Sequence, residues 1–381
     1  MISETPSSGY ARLTPFQARA VLVVLVAATV FCVGITLSPL QSTRVGWQRG
    51  GEGDMALYRA EVERIRAGEG YYQAAAAELI ARGFPTRSVF NWRTPLPMWI
   101  LGKLPDPILG KWLLGLMALA VLVLSFEAMA REQGHGIGKP VACLLLLIGP
   151  LMPCVLGDLF VLPVLWAAMF IALSIGAYGL NRPGWGVALG LSAVFFRELA
   201  LPYCVLAACL AAWQGRRKEL AAWVVGLAAW TLFFGYHAMQ VYALVPANAR
   251  AHAEGWVQFG GAAFVISTVQ MTAYLLLLPQ WVTALYFVAA MFGFAGWRSA
   301  LGQRVGLTGC LFVAAFAVAG QPFNQYWGSL VAPLFCFGAA WFPASLRDLW
   351  KAARAPALFG GRELGGIPEK DSSRRFDRRR M

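Results

Sequence analysis

The chain has 381 residues, of which 58% are hydrophobic and 13% charged, and its net charge is +13. Soluble domains carry about 25% charged residues, so this composition excludes an ordinary soluble enzyme. The long apolar runs, without short-period alternation, exclude a β-barrel.

The excess of basic residues fits loops and a tail facing lipid headgroups. No finger-like or RNP-like motif accompanies it, so no nucleic-acid partner is expected.

A polar lead carries Arg12 and Arg19. The apolar run that follows, 20–40, exceeds the roughly 7–15 residues of a signal-peptide core, so it is expected to stay as the first span, 19–40. Residues 41–106 form a long loop that opens on Gly51-Glu52-Gly53-Asp54-Met55-Ala56-Leu57-Tyr58. Apolar residues at Met55, Tyr58, Val62 and Ile65 follow a helical period, which predicts an amphipathic helix lying along the membrane surface. Gly68 and Gly70 stop it, and Tyr71 and Tyr72 read as interfacial aromatics. A second helix is predicted over 73–82. Phe90-Asn91-Trp92-Arg93-Thr94-Pro95-Leu96-Pro97 then leads into an apolar piece too short to cross.

Spans are expected at 108–130, 140–156, 159–180, 185–196, 199–214, 220–240, 281–296, 305–320 and 328–342. With the first, these make ten. The run 260–278 is read as interfacial or re-entrant, because counting it as a span would invert the distribution of basic loops for everything after Pro279. The expected domains are a membrane unit, 1–343, and a basic tail, 344–381, disordered near its end. Seven cysteines lie in apolar runs with no C-x-x-C pair, which argues against a disulfide framework or structural zinc and reads them as buried hydrophobes.

With the charged short loops inside, both termini are cytoplasmic. The outer side receives Glu52, Asp54, Arg93, Asp158, Arg197, Glu198, His252, Glu254 and the segment Gln321 to Trp327, which contains Tyr326. Charges of both signs at one end of a membrane bundle are costly unless paired or functional. Plainer roles stand beside the functional one. Asp54 reads equally as a helix N-cap, Glu52 as a solvated loop acid, and Arg93 as an interfacial anchor. Arg197 and Glu198 read as a self-neutralising pair, Asp158 as a cap, and His252 as a surface residue. Walker, dinucleotide, H-E-x-x-H and G-x-S-x-G motifs are absent.

The order of these features resembles the GT-C class of integral-membrane glycosyltransferases, which use polyprenyl-phosphate sugars. Glu52-Gly53-Asp54 is similar to that class's acidic motif in the first outer loop. Gly53-Asp54 with Tyr58, then Gly68 to Tyr72, is similar to the pattern of its bacterial polyprenol-dependent mannosyl- and arabinosyltransferase-like branch. Arg93-Thr94-Pro95-Leu96-Pro97 stands where that branch has a basic or aromatic residue before a proline pair, here split by Leu96. Motif similarity is confined to residues 50–97.

The resemblance implies an all-α, GT-C-like bundle in the inner membrane, with its site facing the exterior. It implies inverting transfer from a polyprenyl-phosphate-linked sugar donor to a glycan or lipid acceptor of the cell envelope. Asp54 would be the general base. Glu52, Tyr58, Arg93, Asp158, Arg197, Glu198 and Tyr326 would bind substrate, with Arg93 and Arg197 on the departing phosphate. It requires no cofactor or metal ligand set, while leaving room for a divalent cation. A lipid or sugar transporter or flippase, and a non-catalytic subunit of a polysaccharide assembly system, are the other classes this composition allows.

Overall fold

The computed structural model describes residues 8–38, 53–133, 136–251, 255 and 257–356. Among them the chain is helical throughout, with a single isolated bridge between Val257 and Ala319. The helices are α1 (Pro15–Leu37), α2 (Asp54–Arg66), α3 (Tyr71–Ala81), α4 (Pro95–Lys103) and α5 (Ile108–Gln133). Then come α6 (Gly138–Leu151), α7 (Pro163–Gly179), α8 (Pro183–Phe196), α9 (Leu201–Trp213) and α10 (Arg217–Leu244). The last five are α11 (Gly261–Val269), α12 (Ala273–Leu276), α13 (Gln280–Gly296), α14 (Ala300–Val318) and α15 (Ala332–Arg354).

By length and composition α1, α5, α10 and α14 can each cross a membrane. A fifth crossing arises if α15 is joined to the 3-10 helix Pro322–Leu330, from which it is bent by 68°. Five further apolar helical stretches among the described residues have 10–17 residues. The protein is therefore built of apolar helices fit for a membrane. Residues 260–278 break into α11 and α12, of nine and four residues. At 1.5 Å per residue neither crosses a hydrocarbon core of about 30 Å alone.

Sequence chemistry explains the ends. Pro95, Pro163 and Pro183 sit at the first helical position, where the missing N–H costs nothing. Thr14 caps α1 in a capping box with Gln17. Gly68, at φ +100, closes α2: its N–H bonds Ile65 and that of Glu69 bonds Arg64. Gly70 instead precedes α3, which begins two residues before the predicted 73.

Polar contacts place the ends of the helices. Trp297 Nε1 donates to Glu132 (2.7 Å), and Arg216 and Arg304 flank Glu219 at 2.9 and 3.9 Å. Lys139 lies 3.6 Å over the Trp341 ring, and the Ser8 N–H reaches Asp348 (2.7 Å). These contacts gather one end of the bundle, which carries the basic loops. The polar cluster around Asp54 lies at the other.

Three expectations are corrected. The tail boundary at 343 falls inside α15, which runs on to Arg354. Leu349, Ala352 and Ala353 recur at helical spacing and are buried with Tyr10 and Phe292, so this stretch has a core to pack into. Residues 357–381, the rest of the expected tail, lie outside the described residues. Cys209 and Cys310 are exposed rather than buried, on helices whose outer faces are apolar. Finally, the apolar face of α2 meets protein rather than lipid: Leu57, Tyr58, Val62 and Ile65 join the main core and α3 and α4 pack against it, while Arg59, Glu63 and Arg66 on the other face are exposed.

Glycine decides one crossing. A Cβ at Gly293 on α13 would stand 1.8 Å from the Gly338 carbonyl oxygen on α15. Small residues allow such backbone approach in membrane helices. Gly293→Ala is expected to lower stability by about 1–3 kcal/mol, the usual cost of overpacking. Thermal unfolding in mild detergent checks this. A midpoint equal to that of the native chain would mean that the crossing yields without strain.

Candidate functional site

The first carboxylate of α2 is the centre of the polar cluster. Gly53, not Asp54, is the N-cap of α2, and Asp54 is the first helical residue. The capping role considered for Asp54 is thereby replaced. Its carboxylate faces the favourable end of the helix dipole and spends its contacts on tertiary partners. Tyr326 donates to Oδ2 at 2.9 Å and Tyr58 at 3.5 Å, and Arg93 Nη2 stands 3.8 Å from the same oxygen. All three converge on Oδ2. Oδ1 has no hydrogen bond to another described residue, and the side chain is 31% exposed.

The helical period of α2 places Tyr58 one turn beyond Asp54. Tyr58 is 2% exposed and accepts from Arg93 Nε at 2.6 Å. Arg93 also donates to the Phe90 carbonyl at 2.8 Å and to Tyr326 at 3.4 Å. Burial works against the Arg93 charge, but Tyr58, Tyr326, Asp54 and Glu198 outweigh it, and its pKa lies well above the usual guanidinium value. Arg93 is thus a strut of the site, with most of its donors engaged.

The loop carrying Arg93 is tied down twice. The Tyr71 hydroxyl donates to the Arg93 carbonyl. Thr94 Oγ1 donates to the carbonyls of Phe195 and Phe196, at 3.1 and 3.2 Å. Those are among the carbonyls that α8 leaves without helical partners at its C-terminus. Their capture fixes where α8 stops and where the next residue, Arg197, emerges with extended backbone.

Arg197 is 2% exposed, yet its Nε and Nη1 have no hydrogen-bond partner among the described residues. Glu198 stands 3.6 Å from Nη1, an ion-pair distance beyond good hydrogen-bond geometry, and Glu198 Oε2 is itself unpaired. The charge of Arg197 acts on both Tyr58 and Tyr326, which places it in the neighbourhood of Asp54. Unpaired buried guanidinium donors are expensive, and they mark where an anion would be welcomed.

Tyr326 arrives from the far end of the sequence on the 3-10 helix Pro322–Leu330. Its entry is locked by the Gln321 N–H on Asn324 Oδ1 at 2.9 Å and by the Gln321 side chain on the Gly255 carbonyl.

Of the residues expected from sequence, Asp54, Tyr58, Arg93 and Tyr326 touch one another, with Arg197 and Glu198 in electrostatic reach. Asp158 is half-exposed in a 2.8 Å ion pair with Arg59 and does not touch the cluster. It flanks the 3-10 turn Leu159–Val161 without a capping bond from its side chain. Glu52, His252 and Glu254 lie outside the described residues. Among the described residues no group of three metal-binding side chains forms.

Two members were not anticipated. Tyr71 is buried rather than interfacial, and its hydroxyl serves Arg93. Glu61 is 2% exposed, with Oε2 unpaired. Burial raises its pKa to about 8; Arg93 opposes the shift, and Glu78 and Asp54 add to it. The signal was present: Glu61 lies three residues after Tyr58 and four before Ile65, on the face that α2 buries.

Compared with family models, with curated proteins and with solved structures, the chain matches none.

Proposed function

We propose that the chain is a membrane-embedded glycosyltransferase acting on a polyprenyl-phosphate sugar, with Asp54 as general base. One arrangement carries the reading. A carboxylate with a free oxygen stands in the neighbourhood of a buried arginine with unpaired donors, at the mouth of an apolar helical bundle. Tyr326, Tyr58 and Arg93 hold Oδ2, which leaves Oδ1 to meet an acceptor hydroxyl. As the acceptor oxygen bonds to the anomeric carbon, its proton passes to Asp54 and the bond from that carbon to the phosphate oxygen breaks. The leaving polyprenyl phosphate takes the electron pair, and the Arg197 N–H groups meet its charge. Because Arg93 is already engaged, the phosphate falls to Arg197 rather than to both arginines equally.

In this reading ten helices cross the inner membrane, the basic end of the bundle is cytoplasmic and the Asp54 end faces outward. Arg87 is exposed, and its N–H bonds the Arg250 carbonyl at 3.1 Å, which sets it on the Asp54 side. Arg87→Cys, in a chain whose natural cysteines are replaced, is expected to react with an impermeant maleimide in intact cells. Reaction only after permeabilisation would turn the bundle over and remove the outward site.

The activity is tested by giving membranes with and without the chain a labelled set of polyprenyl-phosphate hexoses and pentoses. The expected result is chain-dependent release of polyprenyl phosphate with label in an envelope glycan or lipid. Label that crosses the bilayer while still lipid-linked would make the protein a flippase, and no consumption of any donor would end the glycosyltransferase reading.

A further inference from the structure

A cleft of mostly apolar lining, with a few polar groups, lies at the end of the bundle away from Asp54, between α5, α6 and α15. Its volume is about 400 Å³, within the range of small-ligand sites. Gln133, Gly138, Lys139, Ala344 and Arg347 are among the residues that line it. The small residues of α6 and α15 keep it open. Nothing in the Asp54 chemistry uses it.

Its polar groups are mostly donors without partners. Gln133 is 5% exposed, yet its Nε2 has no hydrogen bond to another described residue. Lys139 Nζ likewise has none and rests on the Trp341 ring. α6 begins at Gly138 with Ile137 as its N-cap, which supplies no side-chain bond to the first-turn N–H groups. A 14-residue helix therefore presents an uncapped positive end at this cleft. Arg347, half-exposed, adds a second cation at the lining.

The nearby carboxylates already have partners, and Arg347 of the lining is one of them. Asp348 takes the Ser8 N–H at 2.7 Å and Arg347 at 3.3 Å, and Glu132 takes Trp297 at 2.7 Å. Neither lines the cleft. A buried amide without a partner is costly to keep. A helix start, an amide and two cations facing one space are together complementary to a tetrahedral oxyanion.

We infer that this cleft binds a phosphate group, carried either by an anionic phospholipid headgroup or by free phosphate. The site is separate from the one proposed for transfer and stands whether or not that proposal holds.

The test uses the full chain in neutral detergent and reads its thermal midpoint. The additives are inorganic phosphate, dihexanoyl phosphatidylglycerol and dihexanoyl phosphatidylcholine, each at matched ionic strength. A saturable rise with phosphatidylglycerol alone identifies a lipid headgroup, and an equal rise with inorganic phosphate identifies the free anion.

Gln133→Leu is expected to raise the midpoint without additive, since it removes an orphaned amide, and to shrink the additive's shift at least twofold. Lys139→Gln with Arg347→Gln is expected to abolish the shift, while Asp54→Asn retains it. The proposal is overturned if neither anionic additive gives a saturable rise, if phosphatidylcholine gives the same rise, or if the cleft variants respond like the native chain.

Discussion

Asp54→Asn is expected to lower sugar transfer by about 10²- to 10⁴-fold, the usual contribution of a general base. The substitution preserves shape. Its amide oxygen can still accept from Tyr326, now 2.9 Å from Oδ2. What disappears is the negative charge and the site for the proton. Because Gly53 and not Asp54 caps α2, loss of a helix cap contributes nothing to the defect.

Tyr326→Phe is the companion. It removes one of the hydrogen bonds on Oδ2 but keeps the carboxylate, and it should leave substantial activity. The measurement is the rate of polyprenyl phosphate release at equal amounts of folded, monodisperse protein. Near-native turnover in the Asn variant would return Asp54 to a structural part and send the search for a base to Glu61 or Glu198.

Glu61→Gln is expected to stabilise the protein, and more strongly as pH rises. In the fold this carboxyl titrates at about 8 because it is buried, against an ordinary value of 4.5. Below 4.5 both folded and unfolded chains hold the proton, and stability is undiminished. Between 4.5 and 8 the unfolded chain has released a proton that the folded chain keeps. Stability then falls with rising pH, by about 1.4 kcal/mol per unit, and levels off above 8.

Glutamine has nearly the same shape and cannot ionise, so it removes this slope. The variant should melt close to the native chain at pH 4.5 and several degrees above it at pH 8. A difference that does not change with pH would mean that Glu61 is ionised in the fold.

The groups facing Glu61 are Arg93, Glu78, Asp54 and Tyr71. Glu78 is held below its ordinary value by Arg64 at 2.5 Å, helped by Arg82. The remaining cation is Arg93, the one Asp54 relies on. Ionised Glu61 would compete for it, so native transfer should decline above pH 8 while the Gln variant keeps its rate.

What could be read from the sequence follows from which forces are local. Apolar run length marks membrane helices, and proline and glycine mark their ends. The ends of α5, α8 and α13 therefore fall within a few residues of expectation, the apolar piece after Pro97 was recognisable as too short to cross, and the charge of the loops after it set 260–278 apart from the spans. The basic loops sorted residues by end, which is how Asp54 and Tyr326, 272 positions apart, came to be named together.

Pairing was not legible. That Asp158 would meet Arg59, or that Tyr71 would serve the Arg93 carbonyl, depends on how α2, α3 and the Arg93 loop pack. Composition carries no record of that packing. Glu61 was missed for another reason: its charge argued for solvent, and its position on the buried face of α2 overruled that. The basic tail drawn from 344 hid a helix end: Leu349, Ala352 and Ala353 continue the apolar stripe of α15 among the charges.

The clasp between the chain's two ends has a consequence for biosynthesis. Tyr10 stacks on Phe292 at 4.4 Å and donates to its carbonyl, Ser8 reaches Asp348, and Arg19 donates to the Ala353 carbonyl at 3.1 Å. Tyr10 and Phe292 are 282 positions apart. At roughly 5–20 residues per second of synthesis, α1 waits about 15–60 s on the ribosome's schedule before α13 exists to receive it. Only 6% of its most apolar window is buried even in the finished fold, so lipid is its solvent throughout that interval. The first helix made is therefore among the last to be docked. A nascent chain arrested before α13 would hold α1 in the bilayer as a lone helix, open to whatever membrane chaperone or protease patrols unassembled spans.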